Sequence, residues 1–218
     1  MRTQTKLESG EGIVLSVRKA GEGGRSVRLF TRAAGLLPFF APRAALRCGP
    51  GLLAPFTLLR YSAAESAAGK ILTQYEGRPL LDMMRLSYGD MARWYYVVEI
   101  AETFFPEGQA DGEAYALLAA GAAEGAARNP AVASFILAVQ LLAAAGSDPA
   151  EDDPMEALRL SPEGRALLRA CRRWRWAGAF PLRITRSAFR DAARYLDAFA
   201  ERAAERPLKT RGAFLSLE

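Results

Sequence analysis

The sequence predicts an α+β protein in which a small β-barrel over residues 1–79 is followed by an all-helical domain over residues 80–218. Three observations predict it. Between Glu11 and Glu76, short apolar runs alternate with period 2 and are punctuated by glycine and proline. After Gly77, alanine, leucine and glutamate dominate and the apolar spacing moves towards 3.6. The later runs open on residues that cap helices: Asp111, Asn129-Pro130, Ser161-Pro162 and Thr185.

Residues 1–10 read as a flexible lead-in. In Glu11 to Val17 the apolar Ile13, Leu15 and Val17 alternate with Val14, Ser16 and Arg18. A second strand spans Arg25 to Thr31, and Gly21, Gly23 and Gly24 supply the permissive backbone of the turn between the two. Further strands follow at Leu36 to Ala41, Pro55 to Ala63 and Lys70 to Glu76, and the Pro/Gly/Arg-rich stretch from Pro42 to Gly51 is an exposed loop. Five strands at this spacing suit an OB-type Greek-key barrel, and an SH3-like barrel gives a similar pattern.

Helices are expected at Leu80 to Leu86, Tyr88 to Phe104, Gly112 to Ala127, Pro130 to Ala145, Pro162 to Trp174 and Arg186 to Ala204, with Gly146 closing the fourth. In the last, Phe189, Ala192, Leu196, Phe199 and Ala203 form one apolar face. The segment Ser147 to Asp153 is an acidic surface connection.

The net charge of +5 conceals an asymmetry. Residues 1–80 carry +7, residues 81–154 carry −9 and residues 155–218 carry +7. Polyanions respond to local patches, so the two basic ends are where nucleic acid is expected. No apolar run is long enough for a membrane span, and the polar start carries no secretory core, so a cytoplasmic protein is expected. Cys48 and Cys171 are too few for a disulfide framework and read as buried, reduced thiols.

The candidate DNA-binding residues of the barrel are Arg18, Lys19, Arg25, Arg28, Arg32, Arg43 and Arg47. Guanidinium groups hydrogen-bond phosphate, and each phosphate neutralised releases counterion. Phe30, Phe39, Phe40 and Tyr61 are candidate base-stacking platforms, with the core as the competing place for each. A second basic patch is Arg172, Arg173 and Arg175, interleaved with Trp174 and Trp176. It suits nucleic acid or a lipid interface through cation–π contact, and equally suits docking of a helix end on the barrel with the arginines on terminal carbonyls.

Enzyme readings fare poorly. A chain with no histidine lacks the Ser-His and Cys-His pairs and the histidine metal motifs. Gly21 to Arg25 is followed by no Lys-Ser or Lys-Thr, so it is no phosphate loop, and Glu151, Asp152 and Asp153 read as a solvated linker. Neither a catalytic residue nor a metal or other cofactor is expected.

The run Glu11 to Leu15, the Gly21-Glu22 turn, the strand Val27 to Arg32 closed by Gly35, and Pro55 to Leu59 before Leu72-Thr73-Gln74 resemble the N-terminal barrel of the bacterial DNA repair protein RecO family. The likeness continues more loosely through Thr103 to Gly108, Leu160-Ser161-Pro162 and the tail Arg206 to Thr210. The resemblance implies an OB-fold followed by a helical domain. It further implies binding of single- and double-stranded DNA, annealing of complementary strands, and cooperation with RecR and the single-strand binding protein to load RecA. The four-cysteine zinc module of many members is missing between Gly146 and Arg159, so no zinc is expected. The acidic, aromatic-ended tail of the single-strand binding protein would need an apolar groove with basic edges. Arg93, Trp94, Tyr95 and Val98 are the candidates for it, with the core as their competing place. An adaptor that uses its OB barrel for protein contacts without binding DNA is the alternative function, and a magnesium-dependent nuclease is a further rival.

Overall fold

The computed structural model describes residues 7–67, 69–151, 160–176 and 184–215. It divides into two compact units: residues 1–84 with 105–119, and residues 85–104 with 120–218.

The first unit is built on strands β1 (Leu7–Ala20), β2 (Gly24–Thr31), β3 (Gly35–Ala41), β4 (Thr57–Ser66) and β5 (Gly69–Pro79). They close into a barrel in the order β1-β2-β3-β5-β4, which is the OB arrangement and not the SH3-like one. β1 is longer than its apolar pattern. Leu7 to Ile13 pair with β4, whereas Gly12 to Ala20 pair with β2, and a bulge between Val14 and Ser16 bends the strand from one partner to the other. Residues 7–10, read from sequence as lead-in, are therefore strand, paired with Tyr61 to Ala64 of β4. Val14, Val27, Leu29, Phe39, Leu59, Tyr61, Leu72 and Tyr75 fill it. The loop after β3 folds into two short 3-10 turns, Ala45–Cys48 and Pro50–Leu52.

The expected helix over Leu80 to Leu86 is a correction. It is a single 3-10 turn, Met83–Arg85, in which Asp82 Oδ1 accepts from the Met84 amide. So short a segment repays no helix nucleation. The five longer helices agree with their patterns: α1 (Tyr88–Phe104), α2 (Gly112–Ala127), α3 (Pro130–Ala144), α4 (Pro162–Arg173) and α5 (Arg186–Ala203). Asp111, Asn129, Ser161 and Thr185 each accept the amide bonds expected of a cap. Gly146, at φ +87°, ends α3 while Ser147 N donates to Leu142 O. The acidic connection is partly structural, because Asp148 Oδ2 accepts from Arg172 Nε at 3.0 Å; Asp152 and Asp153 lie outside the described residues.

In the second unit α1 packs on α3, α3 on α4 and α4 on α5. Rings from separate elements meet at its centre: Tyr96 with Phe214, and Phe135 with both Phe189 and Phe214, at centroid separations of 4.9–5.2 Å. The two pairs made by Phe214 are edge-to-face, an arrangement that holds orientation as well as area. Cys171 is a buried free thiol, and burial pushes its ionisation well up. The side chain of Cys48 is outside the described set.

Candidate nucleic-acid interface

Strand register decides which barrel cations share a surface. Cross-strand partners project to the same face, and the rows Arg18–Ser26–Phe40 and Ser16–Arg28–Pro38 both lie on the outer face of β1-β2-β3. The neighbouring row Lys19–Arg25–Ala41 has the parity of the core, but at the barrel's end its two cations reach solvent. Arg43 joins them from the loop after β3, its side chain lying over Gly23 in the β1-β2 turn. The ring of Phe40 covers Gly24 so closely that a Cβ there would sit 2.6 Å from it.

Arg18, Lys19, Arg25 and Arg43 thus meet around one turn, with Phe40 beside them at 40% exposure. None of the four forms an ion pair among the described residues. Such a group offers guanidinium and ammonium donors to phosphate and one aromatic face to a base.

The other expected residues are placed differently. Arg47 is exposed on the first 3-10 turn, and Arg32 is exposed at the opposite end of β2, its amide on Glu11 O. Arg28 lies between the two ends, where its Nη2 donates to Glu107 Oε1. Of the four aromatics, Phe30, Phe39 and Tyr61 are core: Phe30 packs edge-on against Phe105 and Phe39 against Tyr61. Burial pushes the Tyr61 phenol up to about 12. Only Phe40 of this set is open to a base.

In the second unit, Arg173 and Arg175 are exposed and Arg172 is held by Asp148. The carbonyls at the end of α4 are met by Gln140, not by these arginines as expected: Gln140 Nε2 donates to Cys171 O and Trp174 O at 2.9 and 2.7 Å. Gln140 Oε1 in turn accepts from Trp176 Nε1 at 2.7 Å. A buried amide with both ends satisfied fixes the Arg-Trp stretch in place. It is the one polar residue in an apolar helix run from Phe135 to Leu142, and that isolation is the signal by which sequence could have found it.

The four groove candidates do not form a surface together. Trp94 and Val98 are core, at 0% and 6% exposure, and Arg93 is buried with Nη1 on Asp90 Oδ1 at 2.7 Å. Tyr95 alone is exposed, and it lines a groove of about 580 Å³ with Tyr88, Met91, Ala92 and the tail residues Lys209 to Ala213. Its floor is apolar and its tail wall carries Lys209 and Arg211.

Carboxylates of α1 and α5 hold that wall. Glu99 accepts from the amides of Lys209 and Thr210 at 2.9 Å and from Thr210 Oγ1 at 2.7 Å. Glu201 takes the Leu208 amide and Asp197 the Gly212 amide. Burial pushes the Glu99 carboxyl up, but the bonds from Lys209 and Thr210 and the charge of Arg206 outweigh it, so it ionises below the ordinary range. Its stabilisation is therefore complete above about 4.5, the ordinary glutamate value, and is lost as pH falls through the lower folded value. Asp197 is raised by burial, so acid relieves that residue.

Glu99→Gln is expected to speed hydrogen exchange at the Lys209 and Thr210 amides by about tenfold or more at neutral pH, since bonds to charged acceptors contribute about 1.5–3 kcal/mol. Calorimetry from neutral to acid pH should show the wild type losing stability that the variant has already lost.

Among the described residues no group of His, Cys, Asp and Glu is placed to hold a metal ion, and no helix is long and apolar enough to cross a membrane. Residues 4–78, which take in nearly the whole barrel, match the family model described as "Recombination protein O N terminal". A search of the curated proteins finds no match.

Proposed function

We propose, from the match of residues 4–78 to the family model of the RecO N-terminal domain, that this chain is a protein of the RecO family that binds single- and double-stranded DNA in the cytoplasm and anneals complementary strands. In that reading its role is in recombinational DNA repair, as a mediator and not as a catalyst. The observation that carries the finer reading is the turn-end patch: four cations around a half-exposed Phe40 on the OB barrel. Arg28, Arg32 and Arg47 flank that patch, and Arg172, Arg173 and Arg175 are a second set of contacts in the helical unit.

Annealing makes and breaks no covalent bond. It needs phosphate repulsion masked while the bases stay free to pair, and lysine and arginine on the backbone do this without reading sequence. One aromatic face is enough to bias binding towards unpaired bases, because stacking accepts any base.

The groove between α1 and the tail supports a protein partner. Tyr88, Met91 and Tyr95 offer an apolar floor, and Lys209 and Arg211 offer a basic rim. An acidic peptide ending in an aromatic residue fits that chemistry, as the tail of the single-strand binding protein requires. In this reading the protein takes strands from that partner and, with RecR, hands them to RecA.

The test mixes complementary labelled oligonucleotides with and without the protein. Annealing faster than the spontaneous rate, unchanged by chelation of magnesium, is expected. A protein that leaves the rate alone while forming a stoichiometric complex with RecR would be the adaptor instead, and turnover of the strands on adding magnesium would make it a nuclease.

A further inference from the structure

On the outer face of β2, the Arg28 guanidinium is already engaged by a carboxylate from residues 105–119 of the same unit. The segment that brings Glu107 there is fastened on both sides. Phe105 packs edge-on against Phe30 at 5.5 Å, Glu107 forms a parallel bridge with Leu36, and Gly108 N donates to Leu36 O at 2.9 Å. Gly35, at φ +64°, backs directly on the Gln109 carbonyl, where any Cβ would collide. The carboxylate is thus presented to Arg28 by main-chain geometry and not by a wandering side chain.

The nearby acids have other duties. Asp111 caps α2 at the Ala114 amide, and Glu11 accepts from the Tyr115 hydroxyl at 2.8 Å. Both members of the Arg28–Glu107 pair keep solvent contact, with side-chain exposures of 29% and 53%, so an incoming anion can reach them. A carboxylate and a phosphodiester present the same pair of acceptor oxygens to a guanidinium.

We propose that Glu107 is an internal stand-in for phosphate: it occupies Arg28, marks where the cation patch ends, and yields that arginine only to a DNA phosphate that displaces it. This rests on the DNA-binding reading above. A strand engages the turn-end cations Arg18, Lys19, Arg25 and Arg43 first. Arg28 adds a contact only after the carboxylate leaves, so Glu107 sets both site size and affinity.

The experiment compares wild type, Glu107→Gln, Arg28→Ala and the double variant, by polarisation on labelled oligo-dT over a salt series and by elution from heparin. Glutamine keeps the main-chain bridge to Leu36 and removes the charge. For Glu107→Gln the expected gain on oligo-dT is about three- to tenfold, in line with an exposed ion pair given up and one local negative charge removed. Its log–log salt slope should steepen by about 0.7, one further single-strand phosphate contact. Arg28→Ala should cost several-fold more in the glutamine background than in the wild type, and Glu107→Gln should leave heparin at higher salt. Equal or weaker binding of Glu107→Gln on both polyanions, or the same cost of Arg28→Ala in the two backgrounds, would overturn the proposal. A wild type with no affinity for oligo-dT beside a late-eluting Glu107→Gln would sink the DNA reading and leave the role of Glu107 standing.

Discussion

Replacing Arg18, Lys19, Arg25 and Arg43 together with alanine is expected to lower affinity for single-stranded DNA about a hundredfold at moderate salt, with the fold intact. The four side chains are exposed and form no ion pair among the described residues, so truncation leaves no acid stranded in the interior. Each phosphate contact contributes about 0.7 to the salt exponent of a single strand. Losing four of them should flatten the log–log slope by about 2 to 3. Phe40→Ala, by contrast, should leave the slope unchanged and cost about 1–3 kcal/mol on single strands, because it removes a stacking face and no charge. Polarisation over a salt series separates the two variants, and sequence-selective losses would contradict backbone binding for both.

Trp94→Ala is expected to destabilise the helical unit by about 3–5 kcal/mol, the usual cost of deleting a buried ring. The indole is fully buried, and the backbone of Gly125 on α2 lies against its six-membered ring. Gly125 has no side chain with which to fill the space, and α1 itself is held against α3. Thermal unfolding should shift by roughly 10 °C or more. The same measurement distinguishes core from contact: a residue serving a partner peptide would lose peptide affinity at an unchanged melting temperature.

The elements were legible because their signals are local. Period-2 runs found the five strands, and α2 to α5 open on Asp111, Asn129, Ser161 and Thr185, each capping as its sequence position suggests. What distinguishes the OB barrel is non-local. The short parallel pairing of Phe39 and Phe40 with Lys70 and Ile71 closes it, and no residue pattern within either strand announces that pairing.

The site was legible in composition and not in orientation. The arginines of β1 and β2 stand out in the sequence, but whether they meet depends on register, and whether they are engaged depends on Glu107, 79 residues from Arg28. Likewise the apolar residues of α1 are spread around the helix without one clear stripe, so its sequence could not say that Tyr95 faces solvent while Trp94 and Val98 face the core. The tail that completes the groove is tied to Glu99 across 110 residues. Tyr88, Lys209 and Arg211 were missed for that reason.

The most direct measurement is the equilibrium affinity of the unmodified protein for labelled oligo-dT at a series of salt concentrations. Phosphate contact by the turn-end cations predicts a linear fall of log affinity with log salt, with an exponent of about 3 or more in magnitude. Affinity that stays level between low and moderate salt would mean that these cations do not meet the backbone, and the DNA reading would fall with it.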